Sequence, residues 1–573
     1  MEYSAIIHDM DKRFCYAIDK DLFVIRVQVK KDDMKEVILH YEDKYIPMES
    51  KDTRMTLPMK KVAVSQFHDY YEAQLQMNLI CLRYFFEFTD MQGEKVYYGN
   101  YEFDKECITN RDRMFDCPQN LREEEMFEVP QWAANKVVYQ IFPSRFASTQ
   151  PVDKKLWYKA PITPMDDLHG NLRGIIEHLD YIKDLGIDVV YLTPIFKSNS
   201  CHKYDTIDYY QVDPSFGTTE DLKELVQKSH ERGMKVVLDA VYNHTGREFF
   251  AFQDILEKGE KSKYLDWYFI DELPLKDEWG EIPNFKCFGY YGGMPKLNLK
   301  NPEVEKYITD VACYWIKECD IDGWRLDVGD EISHFFWKNF RKAIKAVKKD
   351  MLIIGEIWHY AGDFLEGDEW DTVMNYPFYL NMIDLLADEK INVSQFVQNL
   401  GYLKGRLNKK CYPLMWNLID SHDTARFLHL CNDNKKKQHL AAAFQLLLPG
   451  MPMVYYGDEY AMPGANDPDC RRGMYWDEEY QDKEMYNWYK KLMQVRKTHA
   501  CIVEGELIDT ITNDEEDTIV LIRKSGEETL AMIFNCGSST KEFDEYAQKY
   551  DLLTDSVFDG KVEGFGAAVI VLA

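Results

Sequence analysis

Between Leu22 and Val29 apolar and polar side chains alternate, and from Leu79 to Phe88 short aromatic runs follow one another, with no helical period over the first ~120 residues. This pattern predicts an all-β sandwich over 1–122. The stretch from Leu121 to Pro130, with Arg122 and four glutamates ahead of the proline, reads as a linker. Beyond it, short β-rich runs alternate with amphipathic helices. The strand candidates are Val137 to Phe142, Val189 to Thr193, Val236 to Asp239, Trp324 to Val328, Leu352 to Ile357, Trp416 to Ile419 and Met453 to Tyr456. Leu172, Ile175, Ile176, Leu179, Ile182 and Leu185 fall on one face of a helix between the first two runs. Val304, Tyr307, Ile308, Val311 and Trp315 repeat that spacing before the Trp324 run.

Strand and helix alternating over ~370 residues predict an α/β fold with a parallel sheet, and the number of units favours a (β/α)8 TIM barrel over 123–241 and 300–497. The pattern alone also admits an open sheet. One interval breaks the rhythm: residues 242–299, rich in Trp, Tyr and Phe, separate a strand from its next helix and read as an inserted domain, which in a barrel sits at the catalytic face. After Lys497 the period returns to two, in Thr518 to Arg523, Thr529 to Asn535 and Ala567 to Leu572, so a C-terminal antiparallel β domain is expected over 498–573.

Composition narrows the function classes. Over 573 residues, 46% are hydrophobic and 14% aromatic, ample for several cores and for stacking surfaces. The formal charge of -29 argues against nucleic acid, whose phosphates call for clustered Lys and Arg. The first ten residues carry acidic side chains where a secretory signal needs a basic start and an apolar stretch, and the most apolar segment, Ala441 to Tyr456, is interrupted by Gln445, Pro449 and Pro452. No membrane association is expected, and a cytoplasmic location is. The thirteen cysteines, scattered with no CxxC pair, fit reduced thiols in that compartment.

Several candidate strands end in acidic or imidazole side chains. Val237 to His244 closes the third strand, Gly323 to Asp327 the fourth, Ile354 to His359 the fifth and Ile419 to Asp423 the seventh. A barrel builds its active site at these C-terminal ends. Glycoside cleavage needs one carboxylate at the oxocarbenium-like carbon and one carboxylic acid to protonate the leaving oxygen, a pair that Asp327 and Glu356 can supply. Arg325, two residues before Asp327, faces the same side of its strand and is placed to hold that carboxylate ionised. A lone acid of this kind is more often a strand-end cap or surface ion pair; four strand ends together are not.

These segments resemble the conserved regions of glycoside hydrolase family 13, the α-amylase family. Within it, Met294-Pro-Lys-Leu-Asn298 resembles the marker of the neopullulanase, cyclomaltodextrinase and maltogenic amylase group, supported by Val138 to Pro143, His202-Lys-Tyr-Asp-Thr206, Met374 to Pro377 and Gly457-Asp-Glu459. The resemblance implies that Asp327 is the nucleophile, Glu356 the general acid/base and Asp423 the third carboxylate, which grips ring hydroxyls. It implies that Arg325, His244 and His422 bind the sugar with Tyr204 stacked beneath it, and that Asp205, Trp358 and Glu331 also contact substrate. Tyr84 to Phe88 and Tyr97 to Tyr101 resemble the starch-binding-type sandwich of that group, which implies a homodimer with this domain over the partner's active site. Such a lid narrows the site, so the expected substrates are cyclodextrins and short maltooligosaccharides, with pullulan as a further candidate, cut at α-1,4 bonds with transglycosylation.

Two departures bear on these expectations. Val328-Gly-Asp-Glu331 stands where many group members read Val-Ala-Asn-Glu, on the acceptor side, which leaves the balance of α-1,4 against α-1,6 cleavage open. Ala147 to Pro151 replaces a Gly-Asp-Pro calcium loop and offers too few carboxylates for calcium's ligand shell. No cofactor is required; calcium remains an option, with Asn243 and Asp330 as its candidate ligands. The competing readings are an α-1,6-glucosidase or glucan-transferring enzyme on the same barrel, and a non-catalytic glycan-binding protein, which would need one of the three acids to be missing.

Overall fold

The computed structural model describes residues 1–47, 54–76, 80–100, 102–118, 126–276 and 282–573. Leu79, Tyr101, the first half of the expected linker and the expected boundary at 122/123 lie outside the described residues. The chain forms two compact units. The first contains Met1–Glu128, Ala361–Asp371 and Ser394–Tyr412, and the second Val129–Tyr360, Thr372–Val393 and Pro413–Ala573.

In the first unit, Leu22–Lys30 pairs with Cys15–Asp19 and His68–Gln76 in one antiparallel sheet, and Cys81–Asp90 lies between Met34–Asp43 and Lys95–Gly99 in the other. Alternate residues meet between the sheets: Ile25, Val27 and Val29 from one, Leu82, Tyr84, Phe86 and Phe88 from the other. Residues 394–412 join this unit through close backbone approach. A Cβ at Gly401 would stand 1.9 Å from the Val64 carbonyl oxygen, and one at Gly405 would stand 2.4 Å from the Tyr70 ring. The buried Arg26 donates to the Gly405 and Leu407 carbonyls at 2.8 and 3.0 Å and pairs with Glu72.

In the second unit, eight parallel strands run in chain order as Val138–Ile141, Val189–Leu192, Lys235–Ala240, Gly323–Leu326, Leu352–Gly355, Thr372–Val373, Trp416–Asn417 and Met451–Tyr455. Each pairs with its neighbour, the eighth pairs with the first, and a Met374–Trp416 bridge joins the sixth to the seventh, so the sheet closes into a barrel and the open alternative falls away. The sixth strand, only two residues long, was absent from the strands expected. Val138, Val189, Tyr191, Val237, Leu352, Ile354, Met374 and Met453 fill the barrel interior. The single helix expected over 172–185 is two, Leu172–Glu177 and Leu179–Leu185, separated at His178, whose Nδ1 lies 2.7 Å from the Gly174 carbonyl oxygen. The chain returns from the inserted segment through bridges joining His244 to Lys296 and Tyr268 to Leu297. Thr518–Ser525, Glu528–Asn535 and Gly566–Val571 form the centre of an antiparallel C-terminal sheet. Among the described residues no helix is long and apolar enough to cross a membrane.

Candidate active site

Strand register builds the floor of the site. Parallel pairing sets Asp239 of the third strand beside Arg325 of the fourth, and alternation turns both inward with Val237 and Gly323. Asp327 and Glu356 are the first residues beyond the fourth and fifth strands, where the chain leaves the barrel and side chains can face a cleft. That cleft encloses about 460 Å³ and is lined by Tyr204, His244, Asp327, Glu356, Trp358 and Asp423 among others.

The three acids converge on one fully buried guanidinium. Arg325 Nη1 donates to Asp327 Oδ1 at 2.9 Å and to both Asp239 oxygens at 3.0 Å. Its Nη2 lies 2.8 Å from Glu356 Oε2, without hydrogen-bond alignment, and 4.0 Å from Asp423 Oδ2. Glu356 Oε2 accepts the Val328 N–H at 2.9 Å, and Oε1 accepts Trp358 Nε1–H at 3.1 Å. Val328 holds a left-handed backbone conformation, φ 47° and ψ 45°, unusual for a β-branched residue, and this twist carries its amide toward Glu356. Asp327 Oδ2 is buried and has no hydrogen-bond partner.

One guanidinium cannot neutralise this many acids. Burial drives the Asp327 carboxyl well above the usual carboxylate range; Arg325 opposes the shift, but Glu356, Asp239 and Asp423 reinforce it. The expected contact of Arg325 with Asp327 is present and favours the ionised carboxylate, but the same guanidinium is shared with Asp239 and Glu356. Asp239, also buried, is raised to about 6 against the pull of Arg325 and Tyr191.

The expected sugar-binding side chains surround the acids. The Tyr204 and His422 rings lie nearly parallel, at 3° with centroids 5.6 Å apart, joined edge to edge by the Tyr204 hydroxyl at His422 Nε2, and that hydroxyl donates to Asp239 Oδ2 at 3.1 Å. Gln140 Nε2 donates to His422 Nδ1 at 2.8 Å, so the ring proton sits on Nε2, between the Tyr204 hydroxyl oxygen and Asp423 Oδ2, the latter at 3.1 Å. Burial, with the charges of Arg471 and Arg325, keeps His422 neutral far below its usual range. His244, pushed down to about 3 by burial and by Lys296, stacks against Phe288 at 5.1 Å. Trp358 is 43% exposed and stacks on Tyr376 at 4.0 Å.

Two further candidates, Asp205 and Glu331, are held by neighbouring side chains. Asp205 accepts the hydroxyls of Ser198 and Ser200 and so braces its own loop. Glu331 is engaged by Lys296 at 3.1 Å. Asp330 does line the cleft, whereas Asn243 is buried against Lys296 and Glu331. Sequence reasoning missed Asp239 and Gln140, although both stood inside quoted segments. It also missed Arg471, which donates from Nε to the His422 carbonyl at 2.7 Å and from Nη2 to Asp423 at 3.2 Å, and Asp467, which pairs with Arg471 at 2.8 Å. No local motif announced that pair.

Comparison with known proteins places the chain among its relatives. Residues 140–505 match the model of the α-amylase catalytic domain, and residues 1–119 match that of the α-amylase N-terminal Ig-like domain. A cyclomaltodextrinase of Geobacillus thermopakistaniensis is 42% identical over 546 residues, 95% of this chain and 92% of that one. A solved cyclomaltodextrinase structure superposes with a TM-score of 0.93 at 37% identity, covering 100% of both chains. A cyclic α-maltosyl-(1→6)-maltose hydrolase from Arthrobacter globiformis superposes at 0.71 and 34% identity, over 77% of this chain and 99% of that one.

Proposed function

The chain belongs to the α-amylase family, and from that premise we propose that it is a retaining glycoside hydrolase that cuts α-1,4 bonds in cyclodextrins and short maltooligosaccharides. The observation that carries the reading is a carboxylate pair, Asp327 and Glu356, bound to one guanidinium at the floor of a cleft of small-molecule size. Asp327 Oδ1 is held by Arg325, which leaves Oδ2 to attack the anomeric carbon. Glu356 gives its proton to the leaving glycosidic oxygen, then takes one from the incoming water or sugar hydroxyl that displaces Asp327. Asp423 binds ring hydroxyls across from this pair, oriented by His422 Nε2–H, which it shares with the Tyr204 hydroxyl, and Tyr204 supplies a flat face below the ring.

Chromatography of products from β-cyclodextrin and pullulan supplied side by side tests the substrate class, with maltose and glucose from β-cyclodextrin as the expected result. Failure to open the ring, with cleavage of isomaltose-type bonds instead, favours the α-1,6 reading, which the Arthrobacter hydrolase keeps in play. Proton NMR of the first product anomer tests retention: an inverted product excludes Asp327 as nucleophile. Glu356→Gln is expected to lower kcat about 10³-fold on glucans, and far less on substrates whose leaving group needs no proton. The reading extends to a cytoplasmic homodimer in which the N-terminal sandwich covers the partner's cleft. Sedimentation velocity should then find twice the 67.7 kDa chain mass.

A further inference from the structure

The strip from Met294 to Asn298 runs back along the loop after the third barrel strand. The Thr245 N–H donates to the Pro295 carbonyl at 3.1 Å, and the Leu297 N–H donates to the Asn243 carbonyl at 3.0 Å. From this strip Lys296 reaches toward the loop after the fourth strand. Its ammonium donates to Asn243 Oδ1, to the Glu331 backbone carbonyl at 3.3 Å and to Glu331 Oε2 at 3.1 Å. Three N–H groups therefore meet three oxygens, and Asn243 Nδ2 closes the ring by donating to Glu331 Oε2 at 3.1 Å.

A carboxamide oxygen, a backbone carbonyl and a carboxylate, converging from two loops, are the donor types that a hard divalent cation collects. Asp330, adjacent in the chain, adds a further negative charge toward the same nitrogen. Calcium holds its ligands at about 2.3–2.6 Å and needs six to eight of them. The point these oxygens share is taken by a nitrogen, so Asn243 and Asp330 do not fit a calcium ion, and the expectation that named them as ligands is revised on this ground.

We propose that Lys296 is a tethered cation that replaces a metal ion between the inserted segment and the loops after the third and fourth strands. In this position it is a positioning residue for His244, whose backbone it pairs with, and for Glu331. A tethered charge cannot dissociate, so this junction stays braced whatever the calcium concentration.

Melting and calorimetry of the full-length protein test the proposal without reference to any substrate. The wild type is expected to melt at the same temperature in chelator and in millimolar calcium. Lys296→Asp should melt lower in chelator, recover on adding calcium alone, and bind about one ion per chain by titration calorimetry, because the introduced carboxylate completes an oxygen-only shell. Lys296→Met should lower the melting temperature by about 4 °C and raise KM for β-cyclodextrin more than it lowers kcat, and Lys296→Arg should restore part of both. Stoichiometric calcium binding by the wild type that is lost in Asn243→Ala overturns the proposal. So does a Lys296→Asp protein blind to calcium in both measurements, or a Lys296→Met protein that melts and turns over as the wild type does.

Discussion

Arg325 donates from a single nitrogen to Asp239 and Asp327, while its second nitrogen lies against Glu356. A lysine can place one point charge there but cannot span the carboxyls, so Arg325→Lys is expected to lower kcat about 10²- to 10³-fold while far-UV circular dichroism stays unchanged. Gln140→Leu should act more gently. It removes the donor that fixes the His422 proton on Nε2, and the expected outcome is a severalfold rise in KM for β-cyclodextrin, measured at steady state. Asp327, Glu356 and Asp423 were legible in the sequence because each stands in a short segment whose neighbours are also constrained. Arg471 was not, since its role depends on reaching Asp423 from 48 residues further along the chain. For Glu331 and Asp205 the motif fixed an address but not the direction of the side chain, which is set by Lys296 and by Ser198 and Ser200.

Among the elements, the fourth barrel strand is anchored at the end away from the cleft. Asp322, fully buried as a side chain, accepts from His230 at 2.6 Å, Lys235 at 2.9 Å, Lys348 at 3.1 Å and the Val236 amide at 3.0 Å. Burial alone would raise this carboxyl, but the His230 hydrogen bond, the Lys348 charge and the remaining donors outweigh it and hold Asp322 at about 2. A depressed carboxyl adds stability that is fully present above its ordinary value of 3.8 and is lost as pH falls toward about 2, a contribution of about 2 kcal/mol. Asp322→Asn should therefore melt lower than the wild type at pH 6, and the difference should shrink as pH is lowered from 4 to 2, as followed by scanning calorimetry. Long elements were readable here because apolar spacing repeats along them; Thr372–Val373 was not, because two residues carry no period. The break at His178 escaped for a related reason, since both short helices keep their apolar face in phase.

At the scale of the whole molecule, two stretches of the chain between barrel strands, 361–371 and 394–412, belong to the unit built by the N-terminal sandwich. Periodicity reports only neighbours in sequence, so this membership was invisible beforehand. It predicts that residues 129–573 expressed alone leave 394–412 without the Val64, Tyr70 and Arg26 contacts, and that the fragment aggregates or melts well below the full chain by light scattering and calorimetry. Arg26→Met should show a milder form of the same defect, because two carbonyls lose their donor. The twisted peptide at Val328 has a different reach. Because the amide that follows Asp327 also donates to Glu356, a single planar unit acts as a ruler between the two carboxyl groups to which the proposed mechanism assigns attack and proton donation. A shift of this peptide unit therefore displaces both carboxyl groups together, whereas rim side chains such as Trp358 and Phe288 can be exchanged without moving either.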